Sequence, residues 1–128
     1  LTEKYNVEYI GIDATGLGIG VFQLVRSFYP AARDIRYTPE MKTAMVLKAK
    51  DVIRRGCLEY DVSATDITTS FMAIRKTMTS SGRSATYEAS RTEEASHADV
   101  AWATMHALLN EPLTAGSGQV TSSILEFN

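Results

Sequence analysis

The run Val7-Glu8-Tyr9-Ile10-Gly11-Ile12-Asp13 restricts the fold more than any other part of the sequence. It is rich in β-branched and aromatic side chains and leads straight into Ala14-Thr15-Gly16-Leu17-Gly18-Ile19-Gly20, a cluster of small residues. Such a run, ended by glycines, reads as a buried strand that enters a tight turn. After the turn, Val21, Leu24, Val25 and Phe28 recur at spacings of three and four, and Pro30 closes the stretch. That periodicity predicts a helix from about Gly20 to Tyr29, packed back on the strand. A strand, a glycine turn and a returning helix point to an α/β layer arrangement.

The alternation continues along the chain. Asp34 to Tyr37 reads as a short second strand. Thr38-Pro39-Glu40 then offers a cap, a first-turn proline and an acid suited to the helix dipole. The helix they open should reach about Arg55, with Met41, Ala44, Met45, Ala49, Val52 and Ile53 inward and Gly56 as its stop. Cys57 to Tyr60 reads as a short strand. Ser63-Ala64-Thr65-Asp66 has capping-box spacing and opens a helix carrying Ile67, Phe71, Ile74 and Met78 on one face. Thr79 to Ser84 is a polar loop, Ala85 to Ala89 a further strand, and Ser96 to Asn110 a helix of good helix formers. Residues 1–112 are thus expected to form one domain with a central, largely parallel sheet flanked by helices. The linker-like Gly116-Ser117-Gly118 marks 113–128 as a flexible tail.

Composition excludes several classes. The 128 residues are 45% hydrophobic, with 13 basic and 15 acidic groups giving a net charge of −2. That balance suits a globular core and excludes a disordered or collagen-like chain. The single cysteine, Cys57, cannot form an intramolecular disulfide and is expected to be a small core residue. No run approaches the roughly 18 apolar residues of a membrane span, and the start lacks signal-peptide layout. An intracellular protein without a membrane partner is expected. Leu1 stands directly upstream of a strong strand, which predicts that the chain was cut from something longer. Gly16, Gly18 and Gly20 give G-x-G-x-G, and no G-K-[ST] occurs, so neither a dinucleotide fold nor a Walker loop is supported.

Two acids carry the chemistry. Asp13 stands at the C-terminal end of the first strand, where open α/β sheets bind ligands, although an aspartate there also accepts hydrogen bonds from a following turn. Asp99 lies three residues after Ser96, a spacing that also suits a helix cap. If the two carboxylates converge, they repel each other unless a cation lies between them, and hard divalent ions, Mg²⁺ or Mn²⁺, are the natural partners. Two such ions can activate water and stabilise the leaving oxygen in phosphodiester cleavage. His97 and His106 are read as hydrogen-bonding surface or cap residues, and one Cys with two His offers no closed zinc site. Glu59 and Asp61 are read as solvent-exposed, and Ser80 to Ser84 as either a phosphate contact or a hairpin loop. Lys42, Lys48, Lys50, Arg54 and Arg55 form a basic helix surface, solvated or facing nucleic acid.

Together, Tyr9-Ile10-Gly11-Ile12-Asp13-Ala14-Thr15-Gly16-Leu17-Gly18, the basic helix entering Gly56-Cys57-Leu58-Glu59-Tyr60, and Ser96-His97-Ala98-Asp99-Val100-Ala101-Trp102-Ala103 resemble the C-terminal nuclease domain of tailed-phage terminase large subunits, in particular the packaging ATPase subunits of P2-like phages. The resemblance covers nearly all of the chain. It implies a ribonuclease H-like fold in which acids from the first strand, a later central strand and the last helix bind two divalent metals. It assigns Asp13 to the later central strand and Asp99 to the final helix, with His97 supporting the metal site from outside its ligands. It further implies cutting of concatemeric double-stranded DNA in the host bacterial cytoplasm, at the procapsid portal. The implied partners are an upstream ATPase domain of the same subunit, the small terminase subunit and the portal protein. The leading strands of the fold and their carboxylate have no counterpart before Val7, so weak metal binding and little or no cleavage are expected of the chain alone. The rival reading is a non-catalytic α/β interaction module in which Asp13 is a turn acceptor and Asp99 a helix cap.

Overall fold

The computed structural model describes residues 2–89 and 98–112. Its elements run β1 (Gly11–Asp13), α1 (Gly18–Phe28), β2 (Arg33–Ile35), α2 (Pro39–Arg54), α3 (Thr65–Met72), β3 (Ile74–Met78), β4 (Ala85–Ala89) and α4 (Ala98–Asn110). The chain is α/β as read from the sequence, but strands and helices alternate only as far as α2: α3 follows α2 directly and β4 follows β3, and the expected central, largely parallel sheet is not formed among the described residues. Among the described residues the strands form two pairs. β1 and β2 are parallel, with Gly11 opposite Arg33 and Asp13 opposite Ile35, while β3 and β4 are an antiparallel hairpin with Ile74 opposite Ala89. The expected tail 113–128, and Ser96 and His97 with it, lie outside the described residues.

α2 follows its local signals closely. Thr38 caps it by accepting a 3.1 Å hydrogen bond from the Met41 N–H, and Pro39 occupies the first turn. At its other end Gly56 takes φ 69°, while the Gly56 and Cys57 N–H groups donate to the Ile53 and Val52 carbonyls. This is a Schellman ending, which a side chain at Gly56 would strain. The buried face is Met45, Val46, Ala49 and Val52; Ala44 and Ile53, expected inward, are exposed. The stripe is rotated because α2 packs against both α4 and β4 and must cover the two at once. Cys57 is also exposed, contrary to expectation, because its backbone completes the helix ending and its side chain is left outside the core.

Two predicted elements changed. Cys57 to Tyr60 forms no strand, and the helix expected to carry Ile74 and Met78 stops at Met72. The spacing of Ile67, Phe71, Ile74 and Met78 is helical, but residues 74–78 find a complete ladder in Ala85–Ala89, and long-range pairing overrides the local period. The Ser63 capping box is replaced as well: Asp61 accepts hydrogen bonds from the Ser63 N–H and hydroxyl, and Ala64 at the helix cap makes no side-chain cap bond.

The core lies where α4 crosses α2 and α3. Ile35, Met45, Ala49, Ala73, Tyr87, Ala101, Trp102 and Met105 form one cluster there. Within it Ser70 is fully buried, and its hydroxyl accepts a 2.7 Å bond from the Ala101 N–H, so a polar atom at the α3–α4 crossing is satisfied. α1 differs. It rests on β1 and β2 but buries no residue fully, and Val21, Leu24 and Phe28 are 54%, 67% and 60% exposed. Two strands of three residues each are too narrow to cover the apolar stripe that the sequence places on this helix.

Candidate functional site

Asp13 ends β1 half-buried, with Ala14 beyond it buried and bonded through its N–H to the Ile35 carbonyl. Its Oδ1 accepts a 2.8 Å bond from the Thr15 N–H, the turn contact that aspartate commonly makes. A Cβ at Gly18 would collide with the Asp13 carbonyl oxygen, so only glycine lets the first turn of α1 close over the strand end. The glycine turn thus shapes the backbone around Asp13. Asp99 is exposed in the first turn of α4, where the helix dipole favours its negative charge.

Tyr37, just after β2, relates the two acids. Burial pushes its phenol well above the ordinary value of 10.0, and the negative charges of Asp13 and then Asp99 raise it further. Carboxylates from the end of a strand and the start of the last helix therefore act on one hydroxyl. The Tyr37 hydroxyl lies 2.7 Å from His106 Nε2, and His106 Nδ1 lies 3.3 Å from the Gly11 carbonyl oxygen. The Tyr37 ring is tilted against Trp102 and edge-on to His106, at centroid distances of 5.2 and 5.5 Å. His106 is only 8% exposed, so it is neither the surface nor the cap residue expected. Sequence reasoning missed Tyr37 altogether. The one available signal was the seven-residue spacing of Asp99 and His106, which sets both on one side of α4.

Two carboxylates are hard oxygen donors of the kind that hold Mg²⁺ or Mn²⁺ with water filling the remaining positions. Among the described residues no set of three or more His, Cys, Asp or Glu side chains is grouped to hold a metal ion. Asp13 and Asp99 are of the donor type that such an ion takes, and water would have to fill most of its other positions.

Most of the other candidates have structural roles. Lys48 Nζ donates to the Leu109 and Glu111 carbonyls at the end of α4. Arg54 and Arg55 pair with Asp51 at 2.7 and 3.0 Å and hold its carboxyl below the usual range. Lys50 sits 5.5 Å from the Tyr87 ring centroid. The basic surface of α2 is thus largely engaged within the chain. Asp61 is held low by its bonds from Ser63, and Ser80 to Ser84 belong to the turn of the β3–β4 hairpin. Beside Ala14, a groove of about 290 Å³ is lined by Ile19, Phe22, Arg26, Asp34 and Arg36 among others. No helix among the described residues is long and apolar enough to cross a membrane.

One acid ends a strand, another opens the last helix, and the half-buried Tyr37 phenol lies under the influence of both. The chain belongs to the terminase RNaseH-like domain family, whose model matches residues 1–111. It is 93% identical over 128 residues to "Terminase, ATPase subunit" of Escherichia phage P2, covering 99% of this chain and 22% of that protein. It is 47% identical over 115 residues to "Probable terminase, ATPase subunit" of Haemophilus phage HP1, covering 89% of this chain and 19% of that one. The chain thus spans about a fifth of the length of these relatives. No solved structure matches it.

Proposed function

We propose that this domain is the DNA-cutting part of a phage packaging terminase, with Asp13 and Asp99 as the carboxylates that hold Mg²⁺ or Mn²⁺. The observation that carries the reading is that Asp13 ends β1 and Asp99 opens α4, two elements joined by His106, whose Nδ1 lies 3.3 Å from the Gly11 carbonyl oxygen. Asp13 contributes the oxygen not engaged by Thr15, held in place by the tight turn behind it. Asp99 stands in the first turn of α4 and is open to solvent, as a ligand to a hydrated ion must be. When bound, the metal supplies Lewis acidity and lowers the pKa of coordinated water, the chemistry that phosphodiester hydrolysis requires. Arg26 and Arg36, at the groove beside Ala14, offer positive charge to a phosphate backbone. Double-stranded concatemeric DNA is the proposed substrate, and the upstream ATPase domain, the small terminase subunit and the portal are the proposed partners, in the host cytoplasm.

In a subunit-length polypeptide, Asp13→Asn and Asp99→Asn should each abolish Mn²⁺-dependent cutting of DNA and leave ATP hydrolysis intact. Retained cutting in either variant removes that residue from the proposed site. The Thr15 to Asp13 bond favours the second reading, an interaction module in which Asp13 serves the turn alone. Asparagine at position 13 preserves that bond, so loss of cutting in Asp13→Asn separates the two.

A further inference from the structure

His106 lies in the layer between α4 and β1, yet it is an imidazole where a leucine would fill comparable space. A buried polar ring is tolerated when both nitrogens are satisfied, and here both are. The Gly11 carbonyl can only accept, so His106 Nδ1 carries the proton and donates to it across 3.3 Å. In the neutral ring Nε2 is then the acceptor for the Tyr37 hydroxyl at 2.7 Å. From Tyr37 the path continues through its own N–H to Thr15 Oγ1 at 3.0 Å, and from the Thr15 N–H to Asp13 Oδ1 at 2.8 Å. The circuit begins at Gly11 and ends at Asp13, two residues further along β1. Its outermost member, His106, shares one side of α4 with Asp99, about two turns away.

We infer that Tyr37 and His106 are positioning residues, a hydrogen-bonded tether that fixes the height and rotation of α4 against β1 so that Asp99 and Asp13 face a common cation. The inference rests on the metal-binding reading above. An apolar contact at this place would allow α4 to slide or turn with little penalty, because dispersion and hydrophobic contacts have no preferred direction. Two hydrogen bonds with fixed donors and acceptors do not. The ring of Tyr37 is independently packed against Trp102, so removing its hydroxyl takes away the tether and leaves the packing.

The test is Mn²⁺ affinity of a subunit-length polypeptide without nucleotide, read from the electron paramagnetic resonance signal of free Mn²⁺, alongside the melting temperature. Tyr37→Phe should weaken Mn²⁺ binding by about tenfold, the loss typical when a group that orients a metal ligand is removed. His106→Leu should do the same. His106→Asn, whose amide nitrogen falls near the position of Nδ1 and can still donate to the Gly11 carbonyl but which leaves the Tyr37 hydroxyl without its acceptor, should bind Mn²⁺ no more tightly than Tyr37→Phe. Val52→Ala, a core truncation in α2 away from the tether, should lower the melting temperature without changing Mn²⁺ affinity. Wild-type affinity in both Tyr37→Phe and His106→Leu would overturn the tether and leave the metal site standing. Loss of affinity in Val52→Ala in proportion to its melting temperature would also overturn it, because stability alone would then set binding. If the subunit-length polypeptide binds no more Mn²⁺ than its Asp13→Asn/Asp99→Asn double variant, the metal-binding reading fails and the tether with it.

Discussion

Tyr37 can report on the meeting of the two acids without any metal. Its phenol is raised first by burial, then by Asp13, then by Asp99, and both carboxylates act in the same direction because a nearby negative charge disfavours phenolate. Replacing either acid with its amide should therefore lower the Tyr37 pKa. Two unit charges about 4 Å apart in water interact by roughly 1 kcal/mol, and one pKa unit is about 1.4 kcal/mol. Asp13 is half-buried and Asp99 exposed, so solvent screens both. The expected drop is about half a unit to one unit for Asp13→Asn and less for Asp99→Asn. The assay is nuclear magnetic resonance of chains labelled at tyrosine Cζ, followed as pH is raised below the alkaline unfolding transition. The chain has six tyrosines, and Tyr37→Phe identifies the signal by its loss. Asp51→Asn and Asp61→Asn, distant from the phenol, should leave it unmoved. An unchanged Tyr37 titration in both Asp13→Asn and Asp99→Asn would refute the claim that the two carboxylates share a neighbourhood. The stability consequence has a definite sign. A phenol whose folded pKa lies above its unfolded value of 10.0 leaves stability undiminished below about pH 10 and withdraws it as pH rises beyond that. Either asparagine variant should make the alkaline decline shallower.

Two further outcomes concern the core. Ser70→Ala should destabilise the fold by about 1 to 3 kcal/mol in chemical denaturation, because the Ala101 N–H loses a buried acceptor. Thr86→Val should be neutral or raise stability by up to about 1 kcal/mol, because the Thr86 hydroxyl is buried with no hydrogen-bond partner among the described residues and valine keeps the shape without that oxygen.

The local grammar of this chain was legible wherever a short segment decides its own conformation. Thr38-Pro39-Glu40 and Gly56 mark α2 because capping, proline and a left-handed residue act within one turn. The boundary between α3 and β3 was not legible, since it depends on Ala85–Ala89 offering a ladder to residues that carry a helical period. The rotation of the α2 face escaped for the same reason: a helix packed on two elements follows neither one alone. At the site, Asp13 could be singled out by its place at the end of a strand and Asp99 by its place at the start of a helix. The bond between Tyr37 and His106 joins positions 69 residues apart, and neither residue has a distinctive local setting. Only the assembled layers disclose it.

The open apolar flank of α1 divides the molecule mechanically. α2, α3 and α4 are locked by shared core side chains, whereas α1 is retained by contacts along one narrow strip and by the Tyr29 hydroxyl donating to the Val7 carbonyl. Segments with few buried contacts open at the least free energy. Amide protons of α1 will thus exchange with deuterium earliest among the four described helices. The turn that carries Asp13 leads directly into this loosest helix, so whatever steadies α1 will also steady that aspartate.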